Sequence, residues 1–202
     1  MHSHFVLTWR LLTVAAVAGL LALAATDATA QRRPAYFGDT FFGNDSASSL
    51  FGLGSSPIAR TVVSYPVNHR PGTVVINTRE RRLYLVLGNG QALQYGIGVG
   101  RDGFTWSGVT RVSAKRVWPG WTPPAQMLRR RPDLPRHMAG GLDNPLGARA
   151  LYLGSSLYRI HGSNEPETIG QAVSSGCFRL TNEDVIDLYE RVPVGATVIV
   201  QH

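Results

Sequence analysis

Hydrophobic and polar residues alternate in short runs from about residue 70 to the end of the chain, and glycine-containing turns separate the runs. Alternation with a period of two over four to eight residues is typical of strands that bury one face. We therefore predict strands over 73–78, 81–87, 91–99, 109–117, 150–153, 157–161 and 196–201. The sequence Gly88-Asn89-Gly90 predicts a hairpin between the second and third of them, because Gly and Asn tolerate a positive φ.

One segment after these strands has a convincing helical pattern. Its apolar residues recur at helical spacing on one face: Val185, Leu188, Tyr189 and Val192. Thr181 is a suitable N-cap residue, and Pro193 follows the last apolar position, where a helix would end. The pattern predicts a mainly β domain with one clear helix after Cys177. We expect Cys177 to lie on the turn that enters this helix, where free backbone N–H groups favour a thiolate.

The first third of the chain has a different organisation. Residues 11–25 form an apolar run of 15 residues, and Ala28-Thr29-Ala30 supplies a cleavage pattern, so we predict a signal peptide over 1–30. The run is shorter than the roughly 20 residues of a membrane-spanning helix, and we expect no membrane span after cleavage. Residues 31–69 are predicted to be a flexible linker or tail, with a binding segment as the alternative, and 70–202 to be the folded domain. The signal predicts export to the periplasm.

Composition narrows the class of partner. The chain carries a formal net charge of +7, which suits nucleic acids, anionic surfaces or carboxylate-rich polymers. Export and the lack of a nucleic-acid-binding motif argue against nucleic acid, so a carboxylate-bearing envelope polymer is the preferred partner. His, Cys and Asp residues show no metal-ligand spacing, and we expect neither a metal nor a cofactor.

The candidate chemistry centres on Cys177, the chain's one cysteine. A single cysteine cannot form an internal disulfide, and a free thiol in an oxidising compartment is a hazard unless it is used. His161 lies sixteen residues upstream and Arg179 two residues downstream. A thiol, an imidazole and a cation in this arrangement indicate a nucleophile with a proton shuttle. The alternative is a buried, inert thiol with a structural histidine.

The run from His161 to Val185, HGSNEPETIGQAVSSGCFRLTNEDV, resembles the signature of the L,D-transpeptidase family, the YkuD-type catalytic domain. The resemblance extends upstream through Thr105-Trp106-Ser107-Gly108 and downstream to Val192-Pro193-Val194-Gly195, so that it covers roughly residues 72–201. It implies a β-sandwich-like domain that acts on the stem peptides of bacterial peptidoglycan. The acyl group of a stem peptide would pass to the cysteine thiol and then to an amine.

The resemblance also implies roles for individual residues. Cys177 matches the nucleophile and His161 the general base, and the Gly162 carbonyl matches the group that orients the imidazole. Amides around Gly176 and Cys177 would form an oxyanion hole. The substrate-binding residues implied are Arg179, Ser175, Ser163, Asn164 and Trp121. Two positions depart from the common pattern: Ser175 stands where many relatives have His, and Ser163 where Thr is common. A thiolate–imidazolium pair, with a thiol pKa below its ordinary value, is expected.

The sequence leaves the acyl acceptor open. A diaminopimelate amine would give 3→3 cross-links, a D-amino acid would give exchange, and an envelope protein would become attached to the wall. The alternative functions are those of a non-catalytic peptidoglycan-binding relative and of a sortase-like cysteine transpeptidase. The basic stretch 128–141 is either a solvated loop or a lid at the rim of the cleft.

Overall fold

The structure is a computed structural model that describes residues 56–202. The predicted signal peptide, 1–30, and the part of the predicted linker up to residue 55 lie outside the described residues. Within 56–202, no helix has the length and apolar character needed to cross a membrane.

Strands dominate the described part of the chain. They are β1 (Thr61–Ser64), β2 (Val74–Asn77), β3 (Arg82–Gly88), β4 (Gln91–Gly96), β5 (Val99–Gly100), β6 (Gly108–Val117), β7 (Arg149–Leu153), β8 (Arg159–His161), β9 (Ala172–Ser174), β10 (Phe178–Arg179) and β11 (Thr197–Gln201). Two α-helices, α1 (Ala125–Arg130) and α2 (Asn182–Arg191), and a 3₁₀ turn (Pro166–Thr168) complete the elements. The prediction of a mainly β domain is confirmed.

The strands form a mixed sheet in the order β1-β4-β3-β2-β11-β6-β7-β8-β10, and β5 pairs with β9 in a separate two-stranded sheet. The long strand β6 pairs with β11 through its first half and with β7 through its second half. The β6–β7 register shifts between Val112 and Ala114, and such irregularities bend a strand. Most neighbouring strands are antiparallel, but β2–β11, β8–β10 and β5–β9 are parallel.

One hydrophobic core in the described residues is formed by side chains from two parts of the sheet, strands β2–β4 and strands β7–β8. Ile76, Leu83 and Tyr95 contribute from β2–β4, and Leu151 and Ile160 from β7 and β8. The apolar face of α2 joins the same core through Val185, Leu188 and Val192, which have no exposed surface. Phe178 of β10 belongs to the same core.

The predicted hairpin and helix are both confirmed. Gly88, Asn89 and Gly90 all have positive φ, and they join the antiparallel strands β3 and β4. Thr181 is the N-cap of α2, and its hydroxyl accepts a hydrogen bond from the Asp184 N–H at 3.2 Å.

The ordered domain begins earlier than the sequence predicted. Thr61–Ser64, inside the predicted linker 31–69, pairs with β4 as an edge strand. Arg60, just before it, contacts the carboxylates of Asp184 and Asp187 on α2 at 3.3 and 3.6 Å. The prediction of a flexible segment is therefore wrong for this part, because strand pairing and ion pairs attach it to the domain.

Two other segments differ from the predicted elements. The predicted strand 91–99 ends at Gly96, and Gly98 instead exchanges two 2.9 Å backbone hydrogen bonds with Arg179. A short helix, α1, was not predicted. Its six residues are too few to show a helical period, and Pro124 before it offers no side-chain cap.

Candidate active site

A cleft of about 430 Å³ opens beside the turn that carries Cys177. Cys177 and His161 both line it, together with Arg179, Ser175 and Trp121. Its other wall includes residues of α1 and Tyr158. The structure thus brings five of the sequence-predicted site residues to one cavity.

His161 is the last residue of β8 and is only 4% exposed. Its Nδ1 lies 2.6 Å from the carbonyl oxygen of Gly162. A carbonyl can only accept, so Nδ1 carries the proton and Nε2 of the neutral ring is the acceptor. Gly162 therefore has the orienting contact that the sequence predicted.

The first residue of α2 packs closely against Gly162. Asn182, the first residue of α2, is buried, and its Oδ1 accepts a hydrogen bond from the Ala148 N–H at 2.8 Å. A Cβ on Gly162 would lie 2.3 Å from that oxygen, so the close approach requires glycine.

The turn before Cys177 is organised by the hydroxyl of Ser174. The Ser174 Oγ donates to the Cys177 carbonyl at 2.6 Å and accepts from the Gly176 N–H at 3.1 Å. Gly176 has φ +107°, a conformation that favours glycine. Because the Gly176 N–H is already bonded, only the Cys177 N–H of the predicted oxyanion-hole pair has no bonded partner within residues 56–202.

Aromatic packing fixes the other side of Gly176. The Trp106 Nε1–H donates to the Gly176 carbonyl at 3.2 Å, and the Trp106 ring stacks on Tyr158 at 4.7 Å between centroids. A Cβ on Gly176 would lie 2.6 Å from the Tyr158 ring. The turn is thus positioned by a wall of side chains as well as by Ser174.

The pKa shifts of Cys177 and His161 both run against the expected thiolate–imidazolium pair. Burial raises the pKa of the Cys177 thiol, and this shift is opposed first by a hydrogen bond from the Arg159 backbone and then by the charge of the Arg159 guanidinium. Burial, reinforced by the charge of Arg179, lowers the pKa of His161 to about 3. At neutral pH both groups are uncharged, which agrees with the 3.7 Å contact from the Cys177 Sγ to the Leu157 carbonyl.

The helix dipole does not offset this burial. The strand β10 and the N-cap Thr181 separate Cys177 from α2, so Cys177 does not lie on the turn that enters the helix. The Asp184 N–H, one of the free donors expected to favour a thiolate, is bonded to Thr181. The predicted stabilisation of a Cys177 thiolate by the N-terminus of α2 therefore has no geometric basis.

Of the predicted substrate-binding residues, some line the cleft and others lie outside it. Arg179 borders the cleft and forms an ion pair with Glu165 at 3.0 Å. Ser163 and Asn164 do not line the cleft. Ser163 is buried and accepts from the Glu165 N–H at 3.0 Å, and the Asn164 side chain donates to the Asp143 carbonyl at 3.1 Å. Both have structural roles in the loop after His161.

Sequence reasoning missed Ser174 and Arg159. Arg159 precedes His161 by two residues on β8 and lines the cleft, and period-two spacing on a strand would have placed both on one face. Ser174 had no comparable signal, because its two hydrogen bonds depend on the fold of the turn. Within the described residues, no group of three His, Cys, Asp or Glu side chains is arranged to hold a metal ion.

The sequence matches a known protein family. Residues 71–200 match the family model of the YkuD L,D-transpeptidase catalytic domain. An Escherichia coli protein named "Probable L,D-transpeptidase YbiS" is 42% identical over 134 residues, which cover 62% of this chain and 43% of that protein. The chain thus matches less than half the length of this relative.

Solved structures agree on the fold. An L,D-transpeptidase from Mycobacterium smegmatis superposes with a TM-score of 0.52 at 18% identity, covering 64% of this chain and 58% of that one. A Brucella melitensis protein described as a probable carnitine operon oxidoreductase superposes with a TM-score of 0.50 at 42% identity, covering 73% and 96%. With most of the described residues matched by the family model, the chain belongs to the YkuD-type L,D-transpeptidase catalytic domain family.

Proposed function

We propose that this protein is an exported cysteine L,D-transpeptidase that acts on peptidoglycan stem peptides through a thioester acyl-enzyme. One observation carries the proposal: the Cys177 thiol and the His161 imidazole line the same cleft, and the Gly162 carbonyl holds His161 in the tautomer with a free Nε2. Cysteine acyl transfer requires this combination of a nucleophile and an oriented base.

The resting site is neutral, so the proton moves as the thiol attacks. His161 Nε2 accepts the Cys177 proton while sulfur bonds to the carbonyl carbon of the stem peptide. The imidazolium then gives this proton to the leaving amine of the terminal D-residue, and the C–N bond breaks. The product is a thioester on Cys177 and a free D-amino acid.

The second half-reaction runs the same steps with an incoming amine. The amine nitrogen attacks the thioester carbonyl while the neutral His161 accepts a proton from that amine. The C–S bond breaks, the proton returns to the sulfur, and a new amide is released. The Gly162 carbonyl accepts from Nδ1–H, so Nε2 of His161 carries no proton and is the atom that can take one from the amine.

The negative charge on the tetrahedral oxygen needs a donor. The Cys177 N–H is the backbone donor we assign to it, because the Gly176 N–H is bonded to Ser174. Loss of one oxyanion donor typically lowers turnover by about 100- to 1,000-fold. Arg159 lies beside the thiol and adds a positive charge to the same region.

Recognition of the donor peptide rests on the walls of the cleft. Arg179 can pair with a substrate carboxylate, with Ser175 as a hydroxyl donor and Trp121 as an apolar surface. The net charge of +7 favours a carboxylate-rich polymer as partner. The predicted signal peptide supports action in the periplasm on the cell wall, where such an enzyme would contribute to wall organisation and cell shape.

Incubation with disaccharide-tetrapeptide muropeptides, followed by intact-mass spectrometry, tests the proposal. Protein purified after its own export should gain the mass of the tripeptide acyl group on Cys177 and release the terminal D-residue. Cys177→Ala should gain nothing, and His161→Gln should acylate at least about 100-fold more slowly. Export is tested by the mature N-terminus, which should be Gln31.

The acceptor is identified from the products of the same reaction. A cross-linked dimer indicates a diaminopimelate amine, an exchanged terminal residue indicates a D-amino acid, and a requirement for an added envelope protein indicates wall attachment. Tight muropeptide binding without an adduct, from a folded protein with a reactive thiol, would overturn the proposal in favour of a peptidoglycan-binding relative.

A further inference from the structure

A second cavity of about 430 Å³, rich in arginine, adjoins the thiol cleft. Arg101, Arg130, Arg131 and Arg179 all line it. It shares Arg130, Arg179, Met127 and Ser175 with the cleft that contains Cys177. A ligand held in this cavity would therefore lie next to the reacting thioester.

Two of the four guanidinium groups already have carboxylate partners. Arg131 pairs with Asp133 at 2.6 Å, and Arg179 pairs with Glu165 at 3.0 Å. The ion pairs formed within residues 56–202 include neither Arg101 nor Arg130. The cavity thus carries two positive charges that no carboxylate of the described chain neutralises.

Both of these arginines lie against the ring of Phe104. The Cζ atom of Arg101 is 4.9 Å from the ring centroid, and that of Arg130 is 5.2 Å from it. Both cations therefore lie at one aromatic ring and line one cavity, where like charges repel. An anion that contacts both would remove this repulsion.

We propose that Arg101 and Arg130, together with Phe104, form a subsite for the carboxylate of the acyl acceptor. The inference rests on the proposed function, since the acceptor amines considered there, a D-amino acid or a diaminopimelate residue, carry a carboxylate beside the amine. Guanidinium groups bind carboxylates through paired N–H donors. Anchoring the carboxylate here leaves the amine free to approach the thioester on Cys177.

The two half-reactions separate this subsite from the donor site. Replacing both arginines, as Arg101→Gln/Arg130→Gln, should leave the rate of Cys177 acylation within about twofold of the unchanged protein. Transfer from the preformed acyl-enzyme to a stem tetrapeptide acceptor should fall by about tenfold or more, which corresponds to the loss of a charge-assisted contact. The same acceptor with its carboxylates amidated should react equally slowly with the acyl-enzymes of the unchanged protein and of the double variant.

A matched control removes the same two charges elsewhere. Arg129 is exposed and adjacent to Arg130 on α1, and Arg136 is exposed in the following loop; neither lines the two cavities. Arg129→Gln/Arg136→Gln should keep the transfer rate within about twofold. A parallel fall in the control would attribute the effect to net charge and overturn the subsite, as would a fall in acylation equal to that in transfer.

Equilibrium binding tests the subsite without turnover. Cys177→Ala protein should bind the free tetrapeptide more tightly than the amidated one, and the added double substitution should reduce this difference about tenfold, leaving only the part that Arg179 contributes. If the unchanged protein forms no acyl adduct, the proposed function fails, while a loss of carboxylate-specific binding on double substitution would still support the subsite. A binding difference that the double substitution leaves unchanged would overturn it. Equal binding of both peptides would overturn it.

Discussion

Arg179 lies directly opposite His161 in the parallel pairing of β10 with β8. Phe178 is opposite Ile160 in the same register, so the chain before β10 runs alongside the residues before His161. This register explains why Cys177 is close to Arg159 and Leu157 although they are about twenty residues apart in sequence. Parallel pairing of two very short strands thus brings nucleophile, base and both arginines to one cleft.

The neutral resting state of the site predicts how thiol reactivity depends on pH. Because burial raises the pKa of Cys177 above its ordinary value, the rate of iodoacetamide alkylation should still be rising at about pH 9. Arg159→Gln should move the midpoint higher still, since the Arg159 guanidinium lowers the pKa of this thiol. A rate that is already constant between pH 5 and 7 would instead reveal a thiolate–imidazolium pair.

Ser174 should matter for activity more than for stability. Ser174→Ala removes both hydrogen bonds that shape the turn at Gly176 and Cys177. We expect a loss of about 1 to 2 kcal/mol in the free energy of unfolding and of about 10- to 100-fold in kcat/KM. Ser174→Thr keeps the hydroxyl and should recover most of the activity. Equal loss in both variants would mean that side-chain volume, not the hydroxyl, is responsible.

Gly176 should tolerate no side chain. Gly176→Ala places a Cβ 2.6 Å from the Tyr158 ring and 3.0 Å from the Phe104 carbonyl, at φ +107°. Backbone strain of about 1 to 3 kcal/mol should displace the turn and abolish acylation of Cys177. Gly141→Ala is the control, because a Cβ there meets nothing within 4 Å. Acylation by Gly176→Ala at a normal rate would contradict the assigned geometry.

Glu165 should compete with the substrate for Arg179. Glu165→Gln removes the carboxylate that lies 3.0 Å from this guanidinium. Since partly exposed ion pairs are worth up to about 1 kcal/mol, KM for the donor peptide should fall by about two- to fivefold while kcat changes little. Glu167→Gln, on the 3₁₀ turn, removes an exposed carboxylate with no ion-pair partner among the described residues and should leave KM unchanged. A rise in KM for Glu165→Gln would show that Glu165 positions Arg179 rather than competes.

Asp184 should make stability depend on pH. Burial raises the pKa of this carboxyl to about 6, although Arg60 lies 3.3 Å from its Oδ1, and its Oδ2 has no partner within the described residues. The folded state therefore binds this proton more tightly than the unfolded state does. The contribution of Asp184 to the free energy of unfolding is present below about pH 4 and falls by up to about 3 kcal/mol as the pH rises past 6.

Asp184→Asn should remove this dependence. Denaturant unfolding at pH 4 and pH 7.5 should show the variant gaining stability relative to the unchanged protein at the higher pH. Asp102→Asn, which replaces an exposed carboxyl, is the control. The interpretation is wrong if the difference between Asp184→Asn and the unchanged protein is the same at both pH values.

Local patterns in the sequence were sufficient for much of the fold. Gly88-Asn89-Gly90 determines the β3–β4 hairpin because a positive φ is a property of single residues. Thr181 and the apolar face of 185–192 likewise determine α2, because capping and helical spacing act within one element. The linker and strand 91–99 were predicted incorrectly in part, because pairing of β1 with β4 and of Gly98 with Arg179 joins distant segments.

The sequence by itself indicated Cys177 and His161 as one site, and its resemblance to a family signature implied the orienting role of the Gly162 carbonyl, because a motif preserves residue types and their order. Only the tertiary structure decided their protonation, the use of the Gly176 N–H by Ser174, and the cluster of Arg101 and Arg130 on Phe104. The physical reason is that burial and charge act through space. A pKa, a hydrogen-bond partner and a charge cluster depend on residues that only the folded chain brings together.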